Sequence, residues 1–138
     1  MIRPERINIV VGTANFGYPD NFWGQSNDTF VQAFALMKSH GSNKLDTAKP
    51  YQGSEVKLGA LKAGTEHGLD LDTKWLASYD FTDGANTREY IVTKAKESLE
   101  ALCVSQVDIL YLHSPVHNTQ IEETLAGVND AHKAGMFR

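Results

Sequence analysis

Apolar positions along the chain alternate between strand-like and helix-like spacing, in that order, four times over. Arg6-Ile7-Asn8-Ile9-Val10-Val11 is β-branched and bounded by Gly12, which predicts a first strand. From Asp28 the pattern turns helical: Phe30, Ala33, Phe34 and Met37 recur at three- and four-residue steps. Ser26 or Asp28 is placed to cap that helix, and Gly41 to end it. Lys44–Thr47 reads as a second strand. A second helix is predicted over Ser54–Ala63, with Ser54 as N-cap and Glu55 in its first turn. Leu69–Trp75 carries a weaker strand signal. Asn86-Thr87-Arg88-Glu89 has capping-box spacing and opens a long helix with Ile91, Ala95, Leu99 and Leu102 on one stripe. Val107-Asp108-Ile109-Leu110-Tyr111-Leu112 is the strongest strand pattern, and its near-continuous apolar run is that of a strand buried on both faces. Thr119-Gln120-Ile121-Glu122 is a second capping box. Ile121, Leu125 and Val128 line the helix behind it, and Gly135 closes it.

Strand–helix alternation of this kind implies right-handed crossovers and a parallel sheet. Two architectures satisfy it: an open doubly wound sheet, or an arc of a (β/α)8 barrel. The 138 residues read as a single domain, 1–138, with no linker or low-complexity stretch. A net charge of −4 without a basic block argues against a nucleic-acid partner and against an anionic membrane surface. Ile9-Val10-Val11 is too short for a signal core or a membrane span. Cys103 is alone, so neither an internal disulfide nor a cysteine metal site is spelled out. These features point to a cytoplasmic protein.

In parallel α/β folds, reactive groups gather where strands end. Read at those positions, the first strand gives Thr13 to Phe16. The second gives Asp46 and, just past it, Tyr51. The third gives Lys74, and the fourth His113 and Ser114. A free tyrosine titrates near pH 10, and an adjacent lysine cation favours its phenolate. Asp46 is suited to hold that lysine, and His113 to hydrogen-bond a substrate oxygen. Together the four can deliver a proton to a carbonyl oxygen as charge develops there. Taken singly, each residue has a plainer use. Asp46 can form an Asx-turn, Tyr51 can pack at a rim, Lys74 can be a surface lysine and His113 a loop histidine. Their common placement at strand ends favours the chemical use. No histidine set makes a convincing metal site. Gly12-Thr13-Ala14-Asn15-Phe16-Gly17 is neither a dinucleotide fingerprint nor a phosphate loop. Phe16, Phe22, Trp23, Trp75 and Tyr79 are candidate walls of an apolar pocket.

Several motifs, in order, resemble the aldo-keto reductases, closest to the aflatoxin-aldehyde-reductase-like branch. They are Gly12 to Gly17; Asp46-Thr47-Ala48 with Tyr51, Ser54-Glu55 and Leu58-Gly59; Thr73-Lys74; Gln106 to Pro115; Glu122 to Leu125; and Lys133 to Arg138. The resemblance covers essentially the whole chain. It implies a (β/α)8 TIM barrel and NADPH-dependent reduction of an aldehyde or ketone. It puts the catalytic tetrad on Asp46, Tyr51, Lys74 and His113, with Tyr51 as proton donor, Lys74 and Asp46 tuning it and His113 orienting the carbonyl. It also implies NADP(H) contacts from Asp46, Thr13 and Ser114.

Four βα units are half of such a barrel, and Arg138 falls where the family's fifth strand begins. The other half carries most of the family's cofactor contacts, in line with phosphate sites after strands seven and eight. A half barrel has two open edges and an uncovered inner face, so closure by dimerisation is expected, two copies forming a pseudo-eight-stranded barrel. The alternatives are a piece of a longer protein, or an open four-stranded sheet. Besides a reductase, the residues suit a cofactor-independent acid/base enzyme (isomerase, dehydratase or cyclase) using Tyr51 and Lys74. A non-catalytic half-barrel interaction protein is the third reading.

Overall fold

The computed structural model describes residues 7–19, 26–75, 85–114 and 119–138. Within them four strands alternate with four helices. In chain order these are β1 (Val10–Gly12), α1 (Asn27–Ser39), β2 (Lys44–Asp46), α2 (Ser54–Ala60), β3 (Asp70–Trp75), α3 (Arg88–Leu102), β4 (Leu110–Leu112) and α4 (Ile121–Lys133). The strands form one parallel sheet in the order β1-β2-β3-β4. Register places Gly12 beside Asp46 and Asp46 beside Asp72, and Lys74 beside Tyr111.

Strand alternation sorts side chains onto two faces. Leu45, Leu71 and the half-buried Val11 and Leu110 point to one face, where they meet Phe30 and Phe34 of α1, Leu58 of α2 and Leu102 of α3. Helix α4 joins the same side through Ala131, packed with Ala95 of α3. Fully burying a side chain such as Phe34, Leu45 or Leu58 contributes about 1.5–3 kcal/mol. The helices therefore all cover one face, which is not the layering of a doubly wound sheet. The opposite face carries Val10, Lys44, Asp46, Asp72, Lys74 and Tyr111, and no described helix lies over it.

Several elements differ from the sequence-based expectation, each for a local reason. β1 is shorter than expected because its hydrogen bonds run only as far as the β2 ladder reaches; Arg6 lies outside the described residues. Ser26 does cap α1, its hydroxyl accepting from the Thr29 amide at 3.4 Å. Ser54 does not cap α2. Gly53 takes that position with φ 85°, and Ser54 spends its hydroxyl elsewhere. Thr87 rather than Asn86 precedes α3, and neither it nor Gln120 before α4 makes a side-chain cap bond. β3, the weak candidate, is the longest strand. Val107–Leu112 gives only the three residues of β4, preceded by an isolated parallel bridge from Val107 to Phe137. Nor is β4 buried on both faces: Tyr111 and Leu112 are exposed, because nothing described covers the far side of the sheet.

The α4 stripe is also different. Ile121 and Leu125 are 58% and 53% exposed, and the buried residues are Thr124, Gly127 and Ala131. α4 lies so close to α3 that a Cβ on Gly127 would stand 2.8 Å from the Arg88 carbonyl oxygen and 2.9 Å from Ile91 Cβ. Small residues make that contact, and the larger apolar pair is turned away. No described helix is long and apolar enough to cross a membrane.

Candidate active site

Lys74 sits near the end of β3 on the uncovered face. Its ammonium donates to both carboxylate oxygens of Asp46, each at 2.5 Å, and to the Thr47 carbonyl at 3.0 Å. Lys74 and Asp46 side chains are 17% and 27% exposed, so this charge-assisted contact is only partly screened by water. The same ammonium lies 5.3 Å from the centroid of the Tyr51 ring and 5.6 Å from that of Tyr111. The His113 ring meets the Tyr51 ring edge-on, with centroids 6.0 Å apart and planes at 87°. Asp46, Tyr51, Lys74 and His113 thus come together at one end of the sheet. His113 reaches it because its amide donates to the Trp75 carbonyl at 2.7 Å, extending the ladder one residue past β4.

The loop carrying Tyr51 is held along its whole length. Thr47 N–H donates to Asp72 O at 2.8 Å and Lys49 N–H to Lys74 O at 3.0 Å, so the chain leaving β2 stays zipped to β3. Tyr51 N–H then bonds the Ala48 carbonyl at 3.0 Å, and the Tyr51 carbonyl accepts from Ser54 N–H at 2.7 Å. Beneath the loop is a buried hydroxyl network. Thr47 Oγ1 donates to Ser54 Oγ at 3.0 Å, Ser54 Oγ lies 2.8 Å from the Thr13 carbonyl, and Thr13 Oγ1 donates to the Asp46 carbonyl at 3.0 Å. The β1 loop presses on the same turn: a Cβ on Gly17 would fall 2.0 Å from Gln52 O, so only glycine permits this approach. Thr73, between Asp72 and Lys74, points to the helix side and donates to the buried Glu55 of α2 at 2.7 Å.

Of the other candidates, Thr13 is fully buried with its hydroxyl already engaged, whereas Ser114 Oγ is buried with no hydrogen-bond partner among the described residues. Phe16 and Trp75 are not pocket walls. Phe16 packs on Phe30 at 4.5 Å in the helix-side core, and Trp75 is buried against Tyr90 at 5.3 Å. Strand alternation explains Trp75, since its neighbour Lys74 takes the other face. Phe22, Trp23 and Tyr79 lie outside the described residues. Sequence reasoning missed Tyr111 and the Thr47 carbonyl as partners of Lys74. The two-residue step from Tyr111 to His113 was the available signal for the first.

A parallel α/β sheet with an acid, a phenol, an ammonium and an imidazole at its strand ends defines a class of protein suited to proton delivery. The comparisons narrow it: residues 8–138 match the model of the Aldo/keto reductase family, and the chain belongs to that family. It is 37% identical to the oxidoreductase sirO of Leptosphaeria maculans, over 98% of this chain and 42% of that protein. It is 33% identical to human aflatoxin B1 aldehyde reductase member 2, over 97% of this chain and 36% of that one. Among solved structures, the aldo-keto reductase AKR2E4 of Bombyx mori, determined in complex with NADP, superposes with a TM-score of 0.66 at 25% identity, over 94% of this chain and 44% of that one. The chain spans well under half the length of the curated relatives it matches.

Proposed function

We propose that this chain is the proton-delivering half of a cytoplasmic, NADPH-dependent carbonyl reductase, acting on an aldehyde or ketone. The observation that carries the reading is the Lys74 ammonium, fixed by both oxygens of Asp46 at 2.5 Å while it lies 5.3 Å from the Tyr51 ring. In this reading the Tyr51 hydroxyl gives its proton to the carbonyl oxygen, and the alkoxide never has to form free in water. Lys74 places positive charge beside the phenol as that proton leaves, Asp46 fixes the lysine, and His113 donates to the substrate oxygen and orients it. NADPH, when bound, would supply the hydride for the carbonyl carbon.

The residues present fit one end of that cofactor. Ser114 offers a buried hydroxyl with no described partner, one residue beyond His113, which suits a polar group of the nicotinamide. Thr13 would act through the Asp46 backbone, since its own hydroxyl is engaged there. Nothing described is a substitute for a phosphate site. In this reading the rest of the barrel comes from outside residues 1–138, in the simplest arrangement from a second copy across a two-fold axis.

The test is an NADPH titration followed by nucleotide fluorescence, then NADPH oxidation with a simple aldehyde, in the chain and in Tyr51→Phe. Binding with aldehyde-dependent oxidation is expected. Tyr51→Phe should lower kcat by about 10²–10⁴-fold while nucleotide binding persists. Absence of nucleotide binding by the assembled protein would overturn the reading.

A further inference from the structure

A second pair of charges lies directly below the Asp46–Lys74 pair on the uncovered face. Asp72 is two residues before Lys74 on β3, beside Asp46 in register, and only 2% exposed. It accepts the Ile109 amide at 3.2 Å, and the Lys44 ammonium lies 3.7 Å away. Lys44 crosses from β2 over β3 and hydrogen-bonds Asp108, ahead of β4. The groups facing Asp72 are thus Lys44 and Asp46 from β2, Asp70 and Lys74 from its own strand, and Asp108 with the Ile109 amide from the β4 side. Arg138 stands behind Asp108 and Asp70 at 3.6 and 3.4 Å.

On this face Asp46 and Asp72 lie side by side in register, and Lys74, two residues beyond Asp72 on β3, holds Asp46. We infer that Lys44 is a positioning residue for the Asp46–Lys74–Tyr51 set: by neutralising Asp72 from below, it leaves the Lys74 ammonium to Asp46 and the phenol. Without Lys44, a buried carboxylate would be left uncompensated. Lys74 shares the strand and the face with Asp72, two residues on, and its stem is long enough to swing down to that carboxylate, whereas Arg138 is held by Asp108 and Asp70. That swing breaks the contact with Asp46 and takes the charge away from Tyr51. The inference rests on the proposed reductase reading for its consequence, but not for its geometry.

The experiment reads the through-hydrogen-bond NMR coupling between Lys74 15Nζ and Asp46 13Cγ in the chain without cofactor or substrate. Lys44→Met is expected to reduce that coupling at least about twofold near neutral pH. Lys44→Arg should restore it, and so should Asp72→Asn placed in the Lys44→Met background. Acidification that neutralises Asp72 should also restore it in Lys44→Met, which a general loosening of the sheet would not do. Asp72→Asn alone keeps the coupling and provides the test should Lys44→Met fail to fold, since its loss there would overturn the inference. An unchanged coupling in Lys44→Met, or a loss that Asp72→Asn does not repair, would also overturn it. Absence of turnover leaves the coupling result standing, and turnover with an unchanged coupling leaves the reductase reading standing without this inference.

Discussion

Asp72 and Asp108 share one lysine, which lowers both carboxyls while burial raises both, and the balance falls on opposite sides. Burial is the largest influence on Asp72 and raises its carboxyl above the usual value of 3.8; the Lys44 cation opposes this, and Asp108 and Asp46 add to the rise. Asp108 is lowered, chiefly by the hydrogen bond from Lys44. A carboxyl raised on folding contributes stability that is complete below its unfolded value and is lost as pH rises through the folded one. A lowered carboxyl contributes stability that is present above the unfolded value and is lost as pH falls through the folded one. The two substitutions should therefore carry opposite pH signatures. Asp72→Asn keeps an oxygen for the Ile109 amide and removes the buried charge, so its urea midpoint should gain on wild type as pH rises from about 4 to about 7. Asp108→Asn should lose on wild type over the same interval. Urea titrations of the three proteins at both ends of that range decide it.

At the scale of elements, burial is set by how closely neighbours approach as much as by apolar character. Gly127 is the contact point of α4 on α3, so Gly127→Ala should cost about 1–3 kcal/mol through overpacking. Leu125→Ala, on the exposed side of the same helix, should stay within about 0.5 kcal/mol in the isolated chain. Chemical denaturation of both variants tests this pair, and a larger cost at Leu125 would show that its face is covered. The contrast also explains what could be read in advance. Ile91, Ala95 and Leu102 were legible because a helical period records a single buried side, and Asp46, Lys74 and His113 because strand ends fall together in a parallel sheet. β4 and the Ile121–Leu125 stripe were misjudged because an apolar run states what a segment prefers, not whether a neighbour is there to cover it. Ser54 fitted every rule for a cap, yet its hydroxyl serves Thr13, 41 residues away. Lys44 finds Asp108 across 64 residues. Contacts of that span leave no local period in a sequence.

For the whole molecule, the uncovered sheet face combines the proposed chemistry with apolar side chains that water disfavours. Val10, Ile109 and Tyr111 are 46%, 37% and 41% exposed, and Ile121 and Leu125 add a second apolar patch on α4. β1 and the upper part of β4 are open edges of a parallel sheet, the situation that folded proteins cover or pair. At the lower end, Phe137 already lies beside Val107 in parallel, with the Val107 amide donating to the Met136 carbonyl at 3.0 Å. Pairing at that end thus keeps the parallel direction of the sheet. If a second copy continues the sheet, β1 of one copy pairs with β4 of the other and both inner faces close on a shared interior. Light scattering should then give twice the 15.2 kDa chain mass at micromolar concentration. Tyr111→Asp, which puts a charge inside the closed barrel, should shift the population to single chains while the helix-side core keeps its circular dichroism. A monomeric wild-type chain under those conditions would exclude self-closure and leave the face to a different half-barrel, supplied by further sequence or by another protein.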